Sequence, residues 1–599
     1  MDKLRRIFGL PLLYWGAIVL YTAFISLFFV LRWTAEQGVS VWFPLAAAAV
    51  ALGTGWLCKR RSLPVLPQQN ILWGLTLLCI LYVFCCNIGA FVVPSQMHIS
   101  VFMTMGTMLV LWGLLRYGAL LFWAPFLLLQ FAQFAAYEQY ATRLNSLVIA
   151  EAMEASDAEF AAYMSTGNVV LLLLVLVAIA VMLFLQVWLL KKVRSRMTSL
   201  AAGGLFFFLA FAGAWLVPQN EMYEDAFWPT YTAYHLEESV REAFYHNQQT
   251  VRIAEELHSP AENASSISTL NGTEGVVLVL HIGESVRADR MSINGYERDT
   301  TPWLRSRTDL INFPRCISAA HDTCQAQIAL LTNARRDIHT ADAAMKPTTG
   351  SVLDLFRANG FRVYAFFGRR VGQQLKYDRV VRLLTRCAEE RFNAPESPWT
   401  SIPQIQAVLQ SNPQTGNLVL FVNNEGSHTP FYHFDEATAP FKPYVREFEN
   451  PGDHAQEVNN AYDNTIHYTD EFIRRVVSLL QGRPFVYVYV SDHGEYLGHN
   501  GMWGRGALGE KEGLYHETTG CCVGMFVLAS PEFRALHPHF ESALQRMSKN
   551  AALQVGHEHL FHSLLGLFGI QSPYYDSQLD LSSEGVLPYT GPAPAADAE

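Results

Sequence analysis

The sequence predicts a two-part molecule: an N-terminal multi-span α-helical membrane domain, then an α/β domain with a largely parallel central sheet. Three observations predict it. Only 16% of the 599 residues are charged and 51% are apolar, whereas roughly 25% is charged in a typical soluble chain. The deficit is concentrated in residues 1–217, where apolar runs recur at the length of about 20 residues that crosses a bilayer as a helix. From Glu274 to Ser583 the pattern changes to apolar β-runs alternating with helical ones, the signature of an α/β domain.

The candidate spans are Ile7–Leu31, Val41–Leu57, Ile71–Val93, Ile99–Leu115, Leu120–Ala136, Val169–Leu190 and Leu200–Val217. Lys3, Arg5 and Arg6 precede the first span, Lys59, Arg60 and Arg61 follow the second, Arg116 follows the fourth, and Lys191, Lys192, Arg194 and Arg196 follow the sixth. Lysine and arginine stay on the cytoplasmic side. These clusters fall on alternate gaps, which places the N-terminus inside and everything after residue 217 outside. Were the pair around Arg116 re-entrant, five spans would give the same final side. Arg32 and Trp33 follow the first span where a signal peptide would carry small residues, so that span reads as an uncleaved anchor.

The polar segment Glu138–Asn168, carrying Glu151, Glu154, Asp157 and Glu159, lies on the exported side. Residues 218–273 hold an aromatic and charged stretch, Tyr223–Leu257, with the spacing of one or two interfacial helices, followed by a polar linker. Residues 274–585 form the globular domain. Its strand-like runs are Val276–His281, Phe361–Phe367, Leu418–Val422, Phe485–Val490 and Gly524–Leu528, and its helical runs include Ser351–Asn359, Val458–Leu480 and Leu553–Leu567. Residues 586–599 are Pro- and Ala-rich and read as a disordered tail. The net charge of −10 argues against a nucleic-acid partner. Of nine cysteines, Cys58, Cys79, Cys85 and Cys86 accompany the spans and read as packing residues. Cys316, Cys324, Cys387, Cys521 and Cys522 lie on the exported side, where disulfides persist.

Chemistry-bearing residues gather where strands end, the usual place for sites in α/β sheets. The run VVLVLHIG delivers Glu284, and FVYVYVS delivers Asp492 and His493. Carboxylates and neutral imidazole are good ligands for zinc or manganese. A strand-end carboxylate on the surface, or an ordinary Asp–His hydrogen bond, would give the same local pattern. Thr323 precedes a helical run. It reads either as a cap or as a nucleophile whose hydroxyl a metal or base activates. His428 follows a third strand, in NNEGSHTP, and reads as a general acid, a ligand or neither.

Four segments, GESVRADRMSINGYERDTTP, GSHTPFY, YDNTIHYTDEFI and SDHGEYLG, resemble the phosphoethanolamine transferases of the alkaline phosphatase/sulfatase superfamily, membrane enzymes that modify lipid A and other envelope glycans. The similarity spans residues 275–570. The resemblance implies an alkaline phosphatase/sulfatase-type domain in the periplasm, anchored in a bacterial inner membrane. It implies a zinc ion, with manganese second, held by Glu284, Thr323, Asp492 and His493. Thr323 would be the nucleophile, and His428 the leaving-group acid or a ligand of a second zinc. The donor would be phosphatidylethanolamine and the acceptor lipid A or core oligosaccharide, a modification that bears on polymyxin resistance. Glu151 and Glu159 match the spacing of two substrate-contacting residues in the family's periplasmic loop.

The sequence departs from the family in three places. It has seven candidate spans rather than about five. Arg505 stands where the family has a histidine, with His499 and His516 nearby, in a loop closer to sulfatases, so Arg505 is a candidate phosphate-binding residue and all three are candidate substrate contacts. The family disulfides are not reproduced, although Cys316 and Cys324 flank Thr323 closely enough to allow one bridge. Neither register of the Thr323 segment fits the sulfatase formylglycine pattern. The alternatives that keep the same site are a phosphoglycerol transferase and a phosphodiesterase or sulfatase. A non-catalytic scaffold is disfavoured by retention of all four ligand positions.

Overall fold

The computed structural model describes residues 275–591 except 335–349, 369–374, 394–397, 413, 446–450, 499–502, 505–520 and 537, together with scattered helical positions between 109 and 255. The chain divides into two compact units: residues 1–138 with 166–237, and residues 139–165 with 238–599. Among the described residues no helix is long and apolar enough to cross a membrane. The candidate spans fall outside those residues, save for scattered helical positions.

In chain order the strands are β1 (Val277–Gly283), β2 (Leu310–Asn312), β3 (Cys316–Ile317), β4 (Arg362–Phe367), β5 (Glu390–Asn393), β6 (Leu418–Asn423), β7 (Phe485–Ser491), β8 (Tyr496–Leu497), β9 (Trp503–Gly504), β10 (Cys522–Val523), β11 (Met525–Ala529) and β12 (Val555–Gly556). The helices are α1 (Pro302–Arg305), α2 (Thr323–Leu331), α3 (Val352–Ala358), α4 (Leu375–Leu384), α5 (Ser401–Ser411), α6 (Ala455–Leu479), α7 (Pro531–Leu536), α8 (Pro538–Asn550) and α9 (Glu558–Phe568).

Seven strands form the main sheet in the order β2-β11-β7-β1-β6-β4-β5. From β7 to β5 all neighbours are parallel, and β11 and β2 add an antiparallel edge. The largely parallel sheet expected from the sequence is therefore present. Its central strands are near-continuous apolar runs because both faces are covered. Leu278, Leu280 and Ile282 of β1 join a core with α2, α3, α4, α8 and α9. Val277 and Val279 join a second core with α5 and α6. Neighbours on one strand thus serve opposite faces, as the two-residue period of a strand requires.

Helix α3 starts where Ser351 and Asp354 form a reciprocal capping box, and α6 covers the expected 458–480 run up to Leu479, with Leu480 as its C-cap. One helical expectation is corrected. Leu553–Leu567 is not a single helix: Val555 and Gly556 form β12, which pairs in parallel with β3, and α9 begins only at Glu558. Apolar periodicity cannot separate a two-residue strand from the helix that follows it. Before the globular core, Val251 and Ala254 lie on a helical stretch and pack into the same core as α2 and α9.

Candidate active site and metal centre

Strand register brings the site together. Gly283 on β1 pairs with Ser491 on β7, so the next residues, Glu284 and Asp492, emerge side by side. Gly283 is required there, because a Cβ would lie 2.2 Å from the Tyr489 hydroxyl. Ser285, two residues on, has φ +60°, a left-handed conformation costing a non-glycine residue about 1–3 kcal/mol. That bend turns the Ser285 N–H onto Asp492 Oδ1 at 3.1 Å, and Val286 N–H donates to Ser491 Oγ at 2.7 Å.

Asp492 is fully buried. Its Oδ1 accepts from the N–H groups of Ser285 (3.1 Å) and His493 (2.7 Å), whereas Oδ2 has no hydrogen-bond partner. The His493 ring donates from Nδ1 to the Gly494 carbonyl at 2.9 Å. That bond places a proton on Nδ1, so that in the neutral ring Nε2 carries the lone pair, the usual outer support of a metal-ligating histidine. Nε2 lies 3.1 Å from Glu284 Oε1 and 3.6 Å from Asp492 Oδ2. An imidazole lone pair facing two buried carboxylates is repulsive unless a proton on Nε2 or a metal cation lies between them. Burial first, and the Glu284 charge second, push the Asp492 carboxyl up to about 7.

Thr323 lies beside the same group. It is the first residue of α2, but it is not the cap. Asp322 caps the helix, its Oδ1 accepting from Gln325 N–H at 2.9 Å while its Oδ2 holds Lys376 Nζ at 2.9 Å. The Thr323 hydroxyl is therefore left to the site, donating to Glu284 Oε1 at 3.2 Å and lying 3.3 Å from His493 Nε2.

The residues fit a metal ion. Among the described residues Glu284, Asp492 and His493 form a buried group whose ligand atoms all lie within 4.8 Å of one another. Zinc bonds of about 2.0–2.1 Å in a tetrahedron require ligand atoms about 3.3 Å apart. The distances of 3.1, 3.2, 3.3 and 3.6 Å match that spacing, and Asp492 Oδ2 is the orphaned oxygen a cation would take.

Residues 276–570 match the Sulfatase family model. The chain carries a sulfatase-family domain. Among curated relatives, phosphoethanolamine transferase EptA of Salmonella typhimurium is 26% identical over 352 residues, covering 56% of this chain and 60% of that protein. Phosphatidylethanolamine transferase Mcr-1 of Escherichia coli is 28% identical over 242 residues, covering 38% and 44%. The chain thus spans no more than 60% of the length of these two curated relatives. The integral membrane protein lipooligosaccharide phosphoethanolamine transferase A of Neisseria meningitidis shares the fold, with a TM-score of 0.59, 20% identity and coverage of 94% of this chain and 97% of that one.

Within the sulfatase-family domain, His428 lies on the loop after β6 and is not part of the three-residue cluster. The loop presses on the Glu284 backbone: Ser427 N–H donates to Glu284 O at 2.9 Å, and a Cβ on Gly426 would lie 3.0 Å from that oxygen. His428 is half-buried and donates from Nδ1 to the Thr429 carbonyl. Glu151, Glu159, His499, Arg505 and His516 lie outside the described residues. Cys316, Cys324, Cys387, Cys521 and Cys522 are not joined in disulfides, so the Cys316–Cys324 bridge left open by the sequence is not formed.

Arg287 and Arg290 hold the loop that follows Glu284. Arg287 pairs with Asp289 and donates to the Glu495 carbonyl at 3.1 Å, and Arg290 faces Asp463 at 3.3 Å. The YDNTIHYTDEFI segment of α6 secures the same loop. Tyr462 donates to Ser285 O at 2.6 Å and accepts from Arg287 N–H at 3.0 Å, and Asp470 receives the N–H groups of Trp303 and Leu304. Sequence reasoning missed Asp322, Lys376 and His557, and took in Tyr462 only as part of the YDNTIHYTDEFI segment. Of the three missed, only Asp322 carried a local signal, an aspartate immediately before a helical run.

Proposed function

We propose that this chain is a membrane-bound, metal-dependent transferase that moves phosphoethanolamine from phosphatidylethanolamine to lipid A or another lipopolysaccharide acceptor through a phospho-Thr323 intermediate. The observation that carries the reading is the Thr323 hydroxyl, 3.2 Å from Glu284 and 3.3 Å from His493, at the corner of a cluster spaced for a tetrahedral ion. The names of the curated relatives supply the transferred group. Residues 1–217 anchor the chain in the inner membrane, residues 218–273 connect, and residues 274–585 hold the site in the periplasm; residues 586–591, expected to begin a disordered tail, instead pack on the domain, Leu587 N–H donating to Gln578 O at 2.9 Å and Tyr589 N–H to Gln554 O at 2.8 Å. A membrane anchor suits a donor and an acceptor that are both lipids.

Glu284, Asp492, His493 and Thr323 would hold one zinc ion, with manganese the second choice. A bound divalent ion supplies Lewis-acid stabilisation of phosphate charge and lowers the pKa of a hydroxyl in contact with it. The chain's own residues do the rest. Thr323 Oγ attacks phosphorus in line and gives up its proton toward Glu284 as the new P–O bond forms. The P–O bond to diacylglycerol breaks. His428 delivers a proton to the departing oxygen from Nε2, because Nδ1 is committed to Thr429 O. The N-terminus of α2 offers the phosphate its backbone N–H groups and a favourable dipole. An acceptor hydroxyl then attacks phospho-Thr323, its proton passing to His428; the Oγ–P bond breaks and the proton held by Glu284 returns to Thr323 Oγ. Arg505 binds the phosphate, and Glu151, Glu159, His499 and His516 contact substrate.

Lipid A mass spectra from cells with and without the gene test this reading. The phosphoethanolamine increment should appear with the wild-type chain and vanish with Thr323→Ala. Equal increments from wild type and Thr323→Ala contradict it, and an increment of phosphoglycerol, or release of free product, replaces the transferred group or the transfer itself.

A further inference from the structure

Thr323 and the metal cluster reach the site from different parts of the fold. Glu284, Asp492 and His493 stand at the ends of β1 and β7 in the main sheet. Thr323 hangs on the loop after β3, a strand of the small β10-β3-β12 sheet. The two sheets are joined by backbone through Gly524, between β10 and β11, but the distance of 3.2–3.3 Å also depends on where the segment leading to Thr323 sits against the end of β7. One buried side chain bonds to both.

His557 follows β12 and its backbone N–H donates to Ile317 O on β3 at 3.2 Å. Its ring Nδ1 accepts from Ala319 N–H at 3.2 Å, four residues before Thr323. Its Nε2 donates to the Ser491 carbonyl at 3.1 Å, the residue immediately before Asp492. A carbonyl can only accept and a backbone N–H can only donate, so the ring is neutral with its hydrogen on Nε2. Burial keeps it so, holding the imidazole at about 3. A rigid ring bonded at both ends permits little change in spacing, unlike a flexible chain.

We propose that His557 is a positioning residue: a neutral imidazole strut that sets the distance between the nucleophile loop and the metal-bearing end of β7. The proposal rests on the reading of Thr323 as the nucleophile. His557 touches neither substrate nor metal. Its contribution is geometric, and a displacement of about 1 Å at a reacting atom can cost a hundredfold in rate.

The test compares wild type with His557→Ala, His557→Gln and His557→Asn in the full-length, metal-loaded chain, using vesicles of head-group-labelled phosphatidylethanolamine. Three quantities are read: label fixed on Thr323 over time, the donor concentration giving half-maximal rate, and metal per chain. Gln carries one acceptor and one donor long enough to span both partners, whereas Asn is shorter and Ala has neither. The expected result is a labelling rate lowered tenfold to a hundredfold in His557→Ala, on the scale of that misplacement cost, with metal content and half-saturating donor unchanged. His557→Gln should recover most of the rate and His557→Asn less. If His557→Ala does not fold, the Gln–Asn difference carries the same test. Labelling of His557→Ala at the wild-type rate overturns the strut, as does a loss proportional to lost metal or equal rates for Gln and Asn. Absence of label from wild-type Thr323 overturns the nucleophile reading instead, and the strut with it.

Discussion

At the site, each buried group has few options. Asp492 spends Oδ1 on two N–H groups and keeps Oδ2 free. His493 spends Nδ1 on a carbonyl and turns Nε2 inward. Neutralising either carboxylate would remove a proposed ligand: Glu284→Gln and Asp492→Asn should each lower metal affinity at least tenfold, read by metal analysis after dialysis against a chelator series. Unchanged metal content in both would contradict the assignment. His557 gives a pH prediction. Its pKa falls from 6.5 to about 3 because burial penalises the imidazolium. The unfolded chain therefore takes up the proton first as pH falls. Relative to His557→Gln, wild type should lose stability below pH 6.5 by about 1.4 kcal/mol per pH unit, until about pH 3. Denaturant unfolding across that window checks the slope, and parallel curves would refute it. Glu284, Asp492, His493 and Thr323 were legible in the sequence because each stands where an apolar β-run stops or a helix starts. His557 was not, because its partner Ala319 lies 238 positions away.

Among the elements, two helices hold the parts in place. Helix α6 fixes the loop after Glu284 through Tyr462 and the start of α1 through Asp470, and α4 fixes the start of α2 through Lys376. Asn423 ties these together: its side-chain oxygen accepts from Gln327 of α2 at 3.1 Å and from Tyr377 of α4, and its nitrogen donates to Ile282 O of β1 at 3.2 Å. The Asp322–Lys376 pair is almost fully buried. Asp322→Asn keeps a cap but strips Lys376 of this counter-charge, so it should cost about 3–5 kcal/mol. Tyr462→Phe, which removes a buried hydroxyl from two backbone partners, should cost about 1–3 kcal/mol. Denaturant midpoints measure both, and a change within experimental error in either would show that the contact does not carry that load. The major strands were readable because runs such as VVLVLHIG are apolar on both faces. β3, β10 and β12 were not, because each has only two residues and its pairing is set by tertiary context rather than by its own pattern.

For the whole molecule, the low charge of residues 1–217 and the strand–helix alternation after Glu274 predict a membrane part followed by a globular one, whereas the compact units are residues 1–138 with 166–237 and residues 139–165 with 238–599; the fold shared with an integral membrane transferase covers 94% of the chain. Sequence could not decide between transfer to an acceptor and release to water, because both use the same nucleophile and ligands. In the full-length chain, chelation should abolish transfer and zinc should restore it, whereas transfer that persists after complete metal removal would exclude the metal-dependent route. The most direct test of the central claim is the mass of the Thr323 peptide after the chain has been incubated with phosphatidylethanolamine vesicles and quenched. The account predicts a phosphoethanolamine increment on Thr323 in wild type and none in Thr323→Ala. An unmodified Thr323 during active transfer, or the increment on another residue, would contradict it.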